Sequence, residues 1–413
     1  MLYRRFGRTE LSMPVFSCGG MRYQFQWQDA PASQIPADNQ ANLEATIRRA
    51  LDLGINHIET ARGYGTSEMQ LGAVLPKFPR DQLIVQTKVS PKPDPKAFRQ
   101  EFERSLSYLQ LDYVDLLGIH GINDPETTKN SLRPGGCLEV ARQLQAEGKV
   151  RFVGFSTHGP TDVIVDAINT GEFDYVNLHW YYIFQDNWPA IAAAAEQDMG
   201  VFIISPTDKG GMLQSPPRKL VKLCDPLSPM VFNDLFCLSH PQVHTLSLGA
   251  ANPGDFGEHL KTLAYLESET KTEATLKPIL AALEQAMVDA LGVDWVNHWH
   301  KDLPSWEAIP GQINIRKILW LHNLAKGFDL VSYSKMRYNL LGNGGHWFPG
   351  QRYQPDHKES LAQVLQDHPF RDRVLRTLVE TDNLLKGSKI KRLSKQGVSK
   401  VKGAVQKARK LLS

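Results

Sequence analysis

Cysteine is scarce in this chain: four residues in 413, Cys18, Cys137, Cys224 and Cys237. They form no C-x-x-C pair and no metal-type spacing, which excludes a disulfide framework and points to reduced thiols in a cytoplasmic setting. The N-terminal MLYRRFGRTE lacks the apolar stretch of a secretion signal. No run approaches the roughly 18 apolar residues of a membrane span, so a soluble or at most membrane-peripheral protein is expected. Also missing is the G-x-G-x-x-G turn that opens a doubly wound dinucleotide-binding sheet. Acidic residues are absent from Lys386 to Ser413, where ten residues are Lys or Arg. The remaining 385 residues hold 37 basic and 44 acidic side chains, so a body of −7 carries a tail of +10 behind a net charge of +3. A tail of that kind is expected to have its own partner or to be a solvated extension, and not to be part of the fold.

What is present suits a well-buried core: 42% hydrophobic residues and eight Trp. Eight short apolar runs stand at 15–20, 57–60, 83–88, 113–120, 152–156, 175–180, 201–205 and 245–250. Between them lie stretches such as ANLEATIRRALDLG and KAFRQEFERSLSYLQL, whose apolar residues recur three or four apart. Continuous apolar strands alternating with amphipathic helices predict a parallel sheet covered by helices, and eight strands close it into a (β/α)8 TIM barrel of the α/β class. Small or polar residues end these runs: Gly19-Gly20, Glu59, Lys88, His120, Ser156, Asn177 or His179, Ser205 and Gly249. In such a barrel all strand C-termini share one rim, which gathers Glu59, Tyr64, Lys88 and His120 around one mouth. Each alone reads most simply as a solvated or hydrogen-bonded side chain; four together read as a proton donor and its partners. Tyr64 would donate, a nearby Lys88 would lower the phenol's pKa, Glu59 would hold Lys88, and His120 would orient a substrate carbonyl. The set contains neither a nucleophile with an adjacent base nor a metal-ligand set. His57 is expected to be turned away from Glu59, either packed or facing outward.

LGINHIETARGYGTSEMQLG resembles the D-T-A-x-x-Y-G-x-S-E motif of aldo-keto reductases, and QTK and LGIH follow in that family's order. YRRFGRTELSMPVFSCGGMR is similar to its opening hairpin and first strand. GFSTHG, YVNLHWYY, SPTDKGGML and SLGAANPGDFGEHL are similar to its later strand ends, so the resemblance covers about residues 1–265. It implies Tyr64 as general acid, Lys88 as its tuning partner and His120 as the carbonyl-orienting donor, with Glu59 standing where the family has Asp. The implied activity is NAD(P)H-dependent reduction of a small aldehyde or ketone to an alcohol; the alternative is a nicotinamide-binding sensor or scaffold with little turnover. Implied cofactor contacts are Gly20, Met21, Ser156, Asn177 (for the family's Gln), Ser205, Lys209, Gly211, Gly249 and Glu258. NADPH is the family default. NADH is the alternative, because Asp255 fits a ribose hydroxyl better than a phosphate, although Lys209, Arg218, Lys219 and Lys222 could answer one.

One branch of this family ends in a ferredoxin-like helical domain, and IPGQINIRKIL resembles its junction. The corresponding cysteine pattern would fall on Trp299, Asp302, Ser305 and Ile309. No Cys follows Cys237, so no cysteine-ligated iron–sulfur cluster is expected. A phrase of Trp followed by Pro-Gly-Gln recurs at Trp306–Gln312 and Trp347–Gln351, a faint trace of a duplication, and packing by Trp295, Trp299, Trp306, Trp320 and Trp347 is expected to replace the metal. A metal or haem role for His298, His300, His322 and His346 is the weaker alternative. The expected organisation is a barrel over 1–285, a C-terminal α-helical domain over 286–385 and a basic tail over 386–413. The tail's apolar series Val398, Val401, Val405, Ala408 and Leu412 suits an anionic membrane surface or an acidic protein partner. Its lack of aromatics argues against nucleic acid.

Overall fold

A computed structural model describes residues 1–343 and 348–387. The tail expectation, from residue 388 onward, therefore lies outside the described residues, as do His346 and Trp347. Among the described residues the chain divides into two compact units, one of Met1–Gly210 with Asn233–Thr272, the other of Gly211–Phe232 with the described residues from Glu273 to Gly387.

The first unit opens with an antiparallel hairpin, β1 (Tyr3–Arg5) and β2 (Ser12–Pro14). Eight parallel strands follow: β3 (Phe16–Gly19), β4 (His57–Glu59), β5 (Ile84–Val89), β6 (Val114–His120), β7 (Val150–Ser156), β8 (Tyr175–Leu178), β9 (Gly200–Ile203) and β10 (Thr245–Leu248). They close in sequence order, with β10 pairing β3, so each apolar run of the sequence supplies one stave of the barrel. Parallel strands covered by helices are buried on both faces, and all six residues of β5 are buried. The covering helices start and stop on local chemistry. In Pro95–Leu109 the Asp94 carboxylate caps the Lys96 amide at 2.9 Å, Pro95 opens the first turn, and Gln110 ends the helix in a left-handed conformation. Its Phe98, Phe102 and Leu109 are fully buried, each stabilising by about 1.5–3 kcal/mol relative to exposure.

Side chains fill the barrel in levels. Phe6, Leu11 and Met13 of the hairpin pack against Ile84, Leu116, Tyr175 and Phe202, closing the end where the strands begin. Above them Ser17 Oγ lies 2.6 Å from His57 Nδ1 and 2.7 Å from Thr245 Oγ1, and the Gln86 amide donates to the Tyr175 hydroxyl at 3.2 Å. His57 thus corrects one expectation. It is packed, but it points the same way as Glu59, since residues two apart on a strand share a face. Its ring lies 5.3 Å from Phe202 on β9, a contact that only the barrel interior allows.

The second unit is helical among its described residues. Helix Ile315–Phe328 is capped by Asn314, which accepts from the Lys317 amide at 3.0 Å. The two Pro-Gly-Gln phrases meet: Gln351 N donates to Gln312 O at 2.7 Å and Asn314 N to Gln351 O at 3.0 Å. Gly350, at φ 77°, permits that approach, because a Cβ there would lie 2.7 Å from Gln312 O. Trp295 is fully buried, donates to Asn323 at 2.9 Å and lies under the Arg373 guanidinium. Trp299, Trp306 and Trp320 are only partly buried, so Trp295, not a shared set of indoles, is the aromatic centre of the described part. His298 bonds Asp294 O, and His322 lies between Asn323 and Glu380.

Burial lowers the His57 pKa to about 3, with the Lys88 charge adding to the effect. An unfolded chain takes up that proton near pH 6.5 while the folded chain refuses it. The contribution is complete above about pH 6.5 and declines as pH falls toward 3, by about 1.4 kcal/mol per pH unit. His57→Gln should flatten this acid limb by one proton in urea unfolding measured between pH 7 and pH 4.

Candidate active site

Glu59 ends β4 and Lys88 stands near the end of β5, and both side chains point into the barrel. The Lys88 ammonium donates to Glu59 Oε2 and, at 2.6 Å, to the Thr60 carbonyl. Exposure of the two side chains is 2% and 5%, so the pair is dry. The other Glu59 oxygen accepts from Ser247 Oγ on β10 at 3.1 Å. Gly19 makes room for this arrangement. A Cβ at position 19 would sit 3.1 Å from Glu59 Oε1 and 2.8 Å from Ser247 Oγ. The methylene that Glu adds relative to Asp is accommodated by that missing side chain.

Tyr64 lies on the loop after β4, which is tied down along its length. Thr60 N donates to Gln86 O, Arg62 N to Lys88 O and Ser67 N to Tyr64 O, at 2.8, 2.9 and 3.2 Å. Behind the loop the fully buried Glu68 accepts from Thr87 Oγ1 at 2.5 Å and from Arg62 at 3.0 Å, while Arg62 also pairs with Asp29. The Lys88 ammonium lies 5.2 Å from the centre of the Tyr64 ring, and the rings of His120 and Trp27 stand edge-on to it at 5.8 and 6.3 Å. Burial, then the Glu59 carboxylate, holds the phenol well above its ordinary pKa of about 10. Any lowering by Lys88 is outweighed by these two effects, so the net shift is upward.

His120, Ser156 and Asn177 form a row. They face one another in register across β6, β7 and β8. Ser156 Oγ and both polar atoms of the Asn177 amide are buried without a hydrogen-bond partner. Orphaned polar atoms in a protein interior are costly, so a ligand that satisfies them is implied. A carboxamide, one donor and one acceptor in a plane, matches a facing hydroxyl and amide.

The other sequence-predicted residues are placed unevenly. Gly20 packs where a Cβ would lie 2.7 Å from Glu59 O, and Met21 beside it is exposed. Ser205, at φ 56°, opens the short turn Pro206–Lys209, and Lys209 reaches His158 and His179. Gly211 takes φ 129° in the second unit, to which Arg218, Lys219 and Lys222 also belong. Gly249 lies under Arg22, whose Cδ would be 2.8 Å from a Cβ there. The Asp255 carboxylate accepts from the Ala251 and Asn252 amides, and Glu258 pairs with Lys261 at 2.6 Å. Trp180 packs among Trp188, Phe236 and His240 as core, and Trp27 stands beside Tyr64. Arg22, His158 and the Arg62–Glu68 pair were missed. His158 lies two residues past Ser156, the last residue of β7. Among the described residues no group of three or more His, Cys, Asp or Glu could hold a metal.

Removing one partner of a buried ion pair strands the other. Glu59→Gln should destabilise the protein by about 3–5 kcal/mol in denaturant unfolding. Glu59→Gln combined with Lys88→Met should lose less than the sum of the single changes.

The sequence profile of the aldo/keto reductase family matches residues 17–232, just over half of the chain. L-galactose dehydrogenase of Arabidopsis thaliana is 27% identical over 270 residues, spanning 58% of this chain and 83% of the relative. D-threo-aldose 1-dehydrogenase of a Pseudomonas species is 27% identical over 209 residues, spanning 42% of this chain and 62% of the relative. An aldo-keto reductase structure from Bacillus halodurans superposes with a TM-score of 0.56 at 21% identity, covering 68% of this chain and 96% of that one, a likeness of fold. With the eight-stranded barrel and the Glu59–Lys88–Tyr64–His120 rim in place, the chain belongs to the aldo/keto reductase family of oxidoreductases.

Proposed function

We propose that this protein reduces a small aldehyde or ketone to an alcohol with a reduced nicotinamide dinucleotide, Tyr64 acting as general acid. The observation that carries the reading is the juxtaposition, on one rim, of a buried Lys88–Glu59 pair under Tyr64 with the orphaned Ser156 and Asn177 side chains. When bound, the dinucleotide supplies hydride to the carbonyl carbon. Ser156 and Asn177 hold its carboxamide, so the reacting face is oriented before reaction. His120 donates to the carbonyl oxygen and sets its direction. As negative charge develops on that oxygen, the Tyr64 hydroxyl delivers its proton. A raised phenol pKa keeps that proton on Tyr64 at neutral pH until an alkoxide, a far stronger base, appears. Lys88, fixed by Glu59 and Thr60, lies beside the phenolate that remains and stabilises it until solvent returns a proton. The glutamate at position 59 serves this arrangement because Gly19 and Ser247 fit its longer side chain.

The names of the two relatives, both dehydrogenases of aldoses, support aldoses as the first compounds to test, in the oxidising direction with the oxidised dinucleotides beside the reduction of simple aldehydes. Both NADPH and NADH suit the carboxamide end, and side-by-side fluorescence titration separates them. The alternative of a nicotinamide-binding sensor predicts slow single-turnover oxidation of bound cofactor with no steady-state rate.

Tyr64→Phe should lower kcat by about 10²–10⁴-fold while cofactor titrations stay at the wild-type midpoint. Wild-type turnover in the phenylalanine variant would remove Tyr64 as the acid. The reduction rate should show no alkaline limb from the acid below about pH 10, since the phenol titrates above its ordinary value. A fall centred near pH 7 would contradict this.

A further inference from the structure

Beside the acid lies a cavity of about 380 Å³, within the roughly 300–1,000 Å³ of sites that hold small molecules. Its wall carries Trp27 and Asp29 of the loop after β3, Arg62 of the loop after β4, Lys92 of the loop after β5, and Glu101 with Arg104 from helix Pro95–Leu109. The chemistry proposed above uses none of these side chains. Backbone contacts fix the cavity to Tyr64. Gly65, at φ 60°, lets the loop after β3 cross closely, since a Cβ there would lie 2.6 Å from Trp27 Cα. Thr66 N donates to Gln26 O at 3.1 Å, and the Arg62 guanidinium pairs with Asp29 across the same two loops. Trp27 consequently stands edge-on to Tyr64 at 6.3 Å. On the inner side Gly63 also lines the cavity. Apart from its chain neighbours, a Cβ at Gly63 would meet only the His120 ring, at 3.9 Å. The absent side chain at position 63 leaves the cavity open toward His120.

The charges of the wall are largely matched. Arg62 Nε lies 3.3 Å from the Glu101 carboxylate and Arg104 lies 3.5 Å from it, while Arg62 also meets Glu68 behind the loop at 3.0 Å. Lys92 is the remaining cation. A phosphate or carboxylate placed here would face Asp29 and Glu101 for the gain of one ammonium. A neutral polyhydroxylated chain suits the wall better. Each hydroxyl both donates and accepts, so it joins a carboxylate to an ammonium or guanidinium without adding charge. Trp27 supplies an apolar ring face for the C–H side of such a chain, and its indole N–H is buried with no hydrogen-bond partner. We propose that this cavity binds the hydroxylated chain of the substrate and so selects polyhydroxy aldehydes, the aldoses, over simple aldehydes. This rests on the reductase reading above and names the substrate class of that same site. His120 and Tyr64 take the carbonyl oxygen, and Trp27, Lys92 and Glu101 take the hydroxyls. A substrate without hydroxyls leaves those polar groups unpaired, and that penalty is what discriminates.

The test compares kcat/KM of the full chain for erythrose, erythrose 4-phosphate and butanal, which share one carbon count, with NADPH and with NADH. Corrected for the open-chain fraction of the sugar, erythrose is expected to exceed butanal about tenfold or more. Phosphorylation should bring no gain. Trp27→Phe keeps a ring beside Tyr64 and removes the N–H, and Lys92→Met removes the ammonium. Each variant should cost erythrose about 3–10-fold more than butanal, the worth of one hydrogen bond. A merely structural role would lower both substrates alike, and comparing variant with wild type on the same substrate cancels the open-chain fraction. Equal losses for erythrose and butanal in both variants would overturn the cavity assignment, while butanal turnover by the wild type keeps the reductase reading. A preference for the 4-phosphate that Lys92→Met abolishes would likewise overturn it, making the cavity an anion seat. Turnover of none of the three compounds with either dinucleotide would overturn both readings.

Discussion

The buried ion pair between Lys88 and Glu59 is the constraint around which the barrel's open end is organised. A closed barrel interior is a poor solvent for charge, and an ammonium placed there is stable only with a counter-charge and filled hydrogen bonds. Glu59 and the Thr60 carbonyl provide both. The consequences reach the neighbouring strands. Ser247 must face Glu59 from β10, position 19 must lack a side chain, and the loop bearing Tyr64 must pass directly over the lysine.

That rim divides its labour around the circle. The loop after β4 carries Tyr64 and the ends of β4 and β5 the ion pair behind it, β6 supplies His120 at the junction, and β7 and β8 present Ser156 and Asn177. Parallel strands make this division available, because every one of them ends on the same side. The hairpin closes the other end with Phe6, Leu11 and Met13, so apolar packing and polar chemistry occupy opposite ends of one barrel.

Much of this was legible in the chain. All eight apolar runs became staves, since a strand buried on both faces needs continuous apolar residues wherever it sits. Glu59, Lys88, Tyr64 and His120 came together because each lies at or just past a strand end. Other residues were legible only in part. His57 and Glu59 share a face by simple alternation, and the Ser17 and Phe202 contacts made the side plain. Asp255 had a carboxylate in the right stretch of sequence, yet two backbone amides at a local turn take it up. In the helical unit the repeated Pro-Gly-Gln phrase was visible, but not that its two copies hydrogen-bond to each other.

The sequence by itself determined the barrel, the order of its staves and which residues would stand on the open rim, because strand periodicity and strand ends are local properties of the chain. Only the tertiary structure decided what those residues do to one another. The direction of the Tyr64 pKa and the fit of a glutamate beside Gly19 and Ser247 depend on groups up to 188 residues apart. Electrostatics and packing act through space, so they were set when the barrel closed, not when the residues were written in order.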